Sequence, residues 1–192
     1  WQLPAGVRLY QTFAVSGEEI EWDIEFFNRS RHAVNILDMC LTVPIGAIDE
    51  SVQACQNLNR HFSLNGNSSF LYWIPYTGQG DILLMSMKKG TAMEYATWDG
   101  KYYLHATNVV DRANDTWRIP STSKTVAPYQ RYLTGFNFTV AKDHTDLRGK
   151  LYDKGNVLVK VAPGMVVTPE MEVYCALQTQ LPVEQLTVEC PE

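Results

Sequence analysis

Residues 18–27 read EEIEWDIEFF. In this stretch Ile20, Trp22, Ile24 and Phe26 alternate with Glu19, Glu21, Asp23 and Glu25. Successive side chains of a strand point to opposite faces, so the alternation makes one face apolar and the other acidic. A helix of the same sequence would mix the two classes around its axis. Immediately upstream, Val7, Leu9, Phe13 and Val15 share a face, with Arg8, Tyr10 and Thr12 opposite. Ser16-Gly17 between the two runs reads as a bend or bulge.

Further strand candidates follow, some of them with the same period of two. Residues 33–43 (AVNILDMCLTV) are apolar on both faces and stop at Pro44, as a doubly buried strand would. Phe70 to Ile74 and Ile82 to Met87 are short strand candidates. Asp99-Gly100 separates the aromatic runs Tyr95 to Trp98 and Lys101 to Leu104, which predicts a hairpin. Phe136, Phe138 and Val140 alternate, as do Val157, Val159 and Val161. So do Met171, Val173, Cys175 and Leu177, and finally Leu186, Val188 and Cys190. The one helical spacing is Ile48, Val52, Cys55 and Leu58. Residues 108–131 are polar, Pro-containing and aperiodic, which reads as a long loop. The sum is an all-β, antiparallel jelly-roll sandwich or barrel in a single domain, 1–192, with long loops or a surface-projecting insertion around 81–153.

Composition narrows the class. At 192 residues, 45% hydrophobic and 19% charged, the chain has enough apolar content for a core and too little charge for disorder. A net charge of -5 excludes a broad basic nucleic-acid surface. No apolar run reaches the length of a membrane helix. The Trp1 start suggests a processed product or a fragment of something longer.

Chemistry-bearing motifs are scarce. His32, His61, His105 and His144 lack metal-pair spacing, and no nucleophile elbow or phosphate loop occurs, so no catalytic, metal or cofactor residue is expected. His144 lies in KDHTD beside Asp143 and Asp146, which reads as a solvated loop rather than a cation site. Cys40, Cys55, Cys175 and Cys190 have no C-x-x-C spacing. Free thiols are expected over the pairs Cys40–Cys55 and Cys175–Cys190. The carboxylates Glu21, Asp23 and Glu25 on one strand face are the only constellation a glycosidase could use, and a polar solvent- or partner-facing edge is the favoured explanation of them. Four sequons begin at Asn28, Asn67, Asn114 and Asn137, against about one expected by chance from the tripeptide rule. They favour an alternative identity, a secreted N-glycosylated β-sandwich binding module glycosylated at Asn28, Asn67 and Asn114. Asn137 sits inside a strand pattern and is a poor acceptor.

Read as ordered blocks, the chain resembles a picornavirus-like major capsid protein. RLYQTFAVSGEEIEWDIEFF is similar to the family's strands C and D, and MCLTVPIGAI to strand E and its exit. SSFLYWIPYTG is similar to strand F, GNVLVKVA to strand H, and MEVYCALQTQLPVEQLTVECPE to the last strand and tail. The overall pattern is most like the five-fold-proximal coat protein. The family's first strand has no counterpart here, and its closing C-P-R-P is C-P-E. The resemblance implies a non-enzymatic subunit that self-assembles into the icosahedral shell of a small non-enveloped RNA virus, located in the virion and assembled in the host cytoplasm. It implies partners among other coat proteins and symmetry copies, a host receptor, and genomic RNA contacted weakly or through an absent terminal arm. It also allows a lipid inside the barrel. Trp73, Tyr76, Trp98, Tyr102, Tyr103 and Trp117 are then candidate interface aromatics.

Overall fold

A computed structural model describes residues 3, 5–37, 39–43, 58–63, 66, 68–75, 78–88, 91–93, 95–98, 102–107, 123–164, 166 and 168–187. The elements are β1(Val7–Ser16), β2(Glu19–Asn28), β3(Val34–Ile36), β4(Met39–Val43), β5(Leu58–Ser63), β6(Phe70–Pro75), β7(Ile82–Met87), β8(Tyr95–Trp98), β9(Tyr102–Thr107), β10(Lys124–Val126), β11(Arg131–Ala141), α1(His144–Asp153), β12(Leu158–Ala162) and β13(Tyr174–Gln178). The fold is an all-β antiparallel sandwich. Its main layer is a six-stranded sheet in the order β1-β2-β11-β7-β6-β5, faced by a three-stranded sheet β4-β9-β8.

β1 and β2 form the expected hairpin in full register, from Val7 opposite Asn28 to Ser16 opposite Glu19. Its two-residue turn is Gly17-Glu18, one residue on from the expected Ser16-Gly17 bend, because Ser16 still pairs with Glu19. Gly17 has φ 60°, the left-handed value that the first central position of a type II′ turn requires. β8 and β9 pair from Trp98 opposite Tyr102, so the strands flanking Asp99-Gly100 do form a hairpin, although the turn residues lie outside the described set.

The alternation in β2 separates two environments. Ile24 and Phe26 turn inward and join Met39, Leu41, Leu71, Trp73, Met85, Met93 and Phe136 in a core between the two sheets. On the opposite side of the six-stranded sheet lies α1. Its Leu147 and Leu151, four residues apart on one helical face, pack with Ile82, Leu84, Ala141 and Leu158 in a second core. Burying side chains of this size contributes roughly 1.5–3 kcal/mol each.

Several expectations are corrected. Residues 33–43 are not one doubly buried strand. They split into β3, which pairs with β10, and β4, which pairs with β9. The 81–153 segment does not simply project from the domain. It supplies β7 and β11, two inner strands of the main sheet, together with α1. KDHTD is not a loop. Asp143 caps α1 by accepting from the Thr145 and Asp146 amides, and the Asp146 side chain reaches back to accept from the Lys142 amide. Both carboxylates are therefore engaged with backbone, and the His144 ring packs edge-on against Tyr72 at 5.6 Å. Residues 181–187 form no strand. Of the helical spacing Ile48, Val52, Cys55 and Leu58, Leu58 begins strand β5, and the other three, like most of the 108–131 stretch, lie outside the described residues.

Candidate functional site

The carboxylate row on β2 is the candidate site that strand alternation marks out. Each member has a cationic partner from a different element. Lys88, just past β7, reaches Glu21 at 2.6 Å and Asp23 at 2.8 Å. Glu25 pairs with Arg131 of β11, whose guanidinium also lies 4.3 Å above the Phe27 ring. At the far end Lys154, the residue after α1, holds Glu19 at 2.6 Å.

Lys88 makes the longest reach. In the strand order β2-β11-β7, β11 lies between Lys88 and its partners. The side chain crosses β11 at Gly135, whose carbonyl accepts from the Lys88 amide. A Cβ at position 135 would lie 2.7 Å from Asp23 Oδ1, 2.8 Å from the Trp22 carbonyl oxygen and 2.9 Å from Lys88 Cδ. The absent side chain of Gly135 is the channel through which the ammonium passes. The Gly135 amide donates to Thr91 Oγ1, which also accepts from Thr134 Oγ1. The hydrogen bonds to Asp23 and then Glu21 hold the Lys88 ammonium above its ordinary pKa, against partial burial.

A general acid or a nucleophile needs a carboxyl group available to substrate with a pKa tuned to its task. Here the three carboxylates are tied into ion pairs along the sheet. Among the described residues no group of three or more His, Cys, Asp or Glu side chains is placed to hold a metal. No helix among them is long and apolar enough to cross a membrane.

The sequence-marked asparagines prove structural where they can be seen. Asn28 is 1% exposed. Its amide nitrogen donates to the carbonyls of His32, Val126 and Ala127. Its oxygen accepts from the Ser30 amide and hydroxyl. The sequon Asn28-Arg29-Ser30 is thus an internal staple joining the end of β2 to the β10–β11 connection, and its nitrogen is not accessible to a glycan. Asn137 lies in β11 opposite Ser86 of β7, with its oxygen buried and unpartnered, as is Ser86 Oγ. Asn67 and Asn114 lie outside the described residues.

Of the candidate interface aromatics, Trp73 is 1% exposed and belongs to the core, because it points from β6 toward β4. Trp98, Tyr102 and Tyr103 are placed on β8 and β9 by backbone alone, and Tyr76 and Trp117 are outside the described set. Cys175 is an exposed thiol on β13, and Cys40 is half-buried on β4. Cys55 and Cys190 are not described.

Sequence reasoning missed the apolar surface that is actually bare. Phe13, Val15, Ile20 and Val140 are 65%, 79%, 48% and 51% exposed, yet they lie on the same sheet face as the core. Phe13 stacks on Trp22 at 5.5 Å, and Trp22 Nε1 donates to Gln11. The signal was strand length. β1 has 10 residues and β4 has 5, so among the described residues the strands of the facing sheet are the shorter ones. On β12 and β13, Val159, Tyr174 and Leu177 are likewise exposed.

Neither a protein family nor a curated protein matches the sequence. Among solved structures, a polysaccharide lyase superposes on 83% of the chain with TM-score 0.65 and 16% identity. The alpha-galactosidase from Lactobacillus brevis aligns over 79% with TM-score 0.44 and 12% identity. The chain spans 24% of the length of each. The likeness to the lyase is one of fold: an all-β sandwich that forms about a quarter of a much longer protein.

Proposed function

We propose that this chain is a non-catalytic β-sandwich module of a larger carbohydrate-active protein, in which it serves as a rigid support for a neighbouring domain. The overlap with a quarter-length portion of a polysaccharide lyase carries this reading. The ion pairs support the non-catalytic part, since each carboxylate has an oxygen bonded to a lysine or arginine of a neighbouring element. Neutral substitution of Glu21, Asp23 and Glu25, one at a time, in the polypeptide that contains this module tests the reading. Polysaccharide breakdown is followed by reducing-end release or by absorbance of an unsaturated product. Unchanged turnover in folded variants is the expected result. Turnover abolished by one neutral variant that remains folded would make the row an active site and sink the scaffold reading.

A second reading is a coat subunit of a small RNA virus. The bare apolar surface at the β1–β2 end and on β12–β13 favours it, because shell neighbours cover such surface. Sedimentation separates the two. Particles of megadalton mass that contain this chain support the capsid reading, and a polypeptide far below that mass that degrades polysaccharide supports the module.

A further inference from the structure

We propose that β1 is a self-pairing edge, through which two copies of this chain join antiparallel about a two-fold axis into one continuous twelve-stranded sheet. β1 ends the six-stranded sheet, and only β2 pairs with it among the described residues. It is ten residues long and exposed along almost its whole length. Natural edges are blunted by Lys, Pro, bulges or inward charges. The sequence VRLYQTFAVS has none of these devices except Arg8, and its ladder with β2 has no register shift.

The pattern of β1 fits its own copy in one register. Face parity requires opposed residue numbers to sum to an even value, since a one-residue slip would place apolar against polar faces. Pairing centred on Gln11 sets Val7 opposite Val15 and Leu9 opposite Phe13, so every apolar residue of the inner face meets an apolar one. Centring on Tyr10 or Thr12 instead sets Leu9 or Phe13 against Gln11. On the outer face the Gln11-centred register opposes Tyr10 to Thr12 and Arg8 to Ala14, with no like charges facing. Ala14 is itself opposite Glu21 on β2. Arg8 of the second copy then lies two strands from Glu21 with only a methyl group between, an arrangement like that of Lys88 over Gly135. The bare Phe13 and Val15 gain lateral cover from Leu9 and Val7 of the second copy. An isologous contact of this kind closes on itself and does not propagate into a fibre.

Sedimentation velocity across a wide concentration range tests this on the chain as it is. The expected result is a concentration-dependent doubling of mass. Phe13→Lys and Val15→Lys, both at exposed positions, should each weaken association at least about tenfold. Leu177→Lys, on the equally bare β13, should leave it unchanged. Circular dichroism confirms that the variants fold. Register is read from Gln11→Cys in a Cys175→Ser background, where each new thiol meets its own copy and mild oxidation links the dimer. Ala14→Cys, which faces Arg8, should link far less. A monomer at every concentration overturns the proposal. So does a dimer indifferent to both lysines, or one dissolved by Leu177→Lys instead. The scaffold reading stands or falls separately, on turnover.

Discussion

Replacing Gly135 by alanine should destabilise the protein by about 2–4 kcal/mol, although it adds a single methyl group. The position has an ordinary negative φ, so a side chain brings no backbone strain there. Glycine to alanine alone would then stabilise by about 0.4–1 kcal/mol through the unfolded chain. Against this stand the three contacts that the new Cβ would make, all under 3.0 Å. Asp23 and Lys88 are side chains and can retreat, but the Trp22 carbonyl belongs to the β2 backbone and cannot move without disturbing the ladder. Overpacking of this kind costs about 1–3 kcal/mol. Retreat of Lys88 also loses its hydrogen bonds to Glu21 and Asp23, worth about 1–2 kcal/mol together once their partial exposure is discounted. Urea unfolding gives the free energy directly. For a chain of this size the melting temperature should fall by about 6–12 °C. Adding Lys88→Ala to Gly135→Ala relieves one of the three clashes, so the double variant should be less destabilised than the sum of the singles by about 1 kcal/mol. A Gly135→Ala protein within about 0.5 kcal/mol of the wild type, the range of an innocuous surface change, would refute the channel argument. Strict additivity with Lys88→Ala would refute the part assigned to Lys88.

Asn28→Ala should destabilise by about 3 kcal/mol, because it strips three carbonyls and two donors of their partner in a buried site, and chemical denaturation reads the loss directly. Expressed in a glycosylating host, the wild-type protein should carry no glycan on Asn28, and a glycopeptide at that site would contradict the staple. Asp143→Ala should lose about 1 kcal/mol through the α1 cap, while Asp143→Asn retains most of it, both measured by thermal melting. Stability should decline under strongly alkaline conditions. Lys88 is raised above its ordinary 10.5 by its carboxylate bonds, and Tyr72 and Tyr132 above their ordinary 10.0 by burial. The folded state therefore holds these protons more tightly than the unfolded state. The stability they contribute is whole below about pH 10 and is lost as pH rises through the folded values. A urea midpoint that holds constant across that alkaline range would contradict the assignment.

Much of the sandwich was legible from the period of two. The β1–β2 hairpin and β11 are marked by alternation, β6 and β7 by short apolar runs, and the Asp99-Gly100 hairpin by its turn chemistry. α1 was illegible for a physical reason. Only Leu147 and Leu151 of its ten residues are buried, so its apolar stripe is one side chain wide, and its start is set by the Asp143 cap. The break between β3 and β4 was hidden because both pieces are apolar, and a run buried on two sides gives no sign of changing sheets. The carboxylate row could be placed on one face from sequence. Its partners could not, because Lys88 and Arg131 lie 65 and 106 residues from Asp23 and Glu25. The same distance hid the role of Asn28, which fits the sequon pattern yet spends its amide on carbonyls 98 and 99 residues away.

The place of β2 in the sheet also sets an order of events during synthesis. β2 is an interior strand, but one of its neighbours is β1, already made, and the other is β11, whose first residue is Arg131. A ribosome adding about 5–20 residues per second leaves the open flank of β2 waiting on the order of 10 s for its partner. For that interval the β1–β2 hairpin is a two-stranded ribbon with an apolar face and two unpaired edges, marginal by itself. Closure then occurs across a loop of about a hundred residues, whose entropy makes such topologies slow to fold. The β1–β2 hairpin is therefore open to wrong partners in the nascent chain, and a holding chaperone should be found bound there.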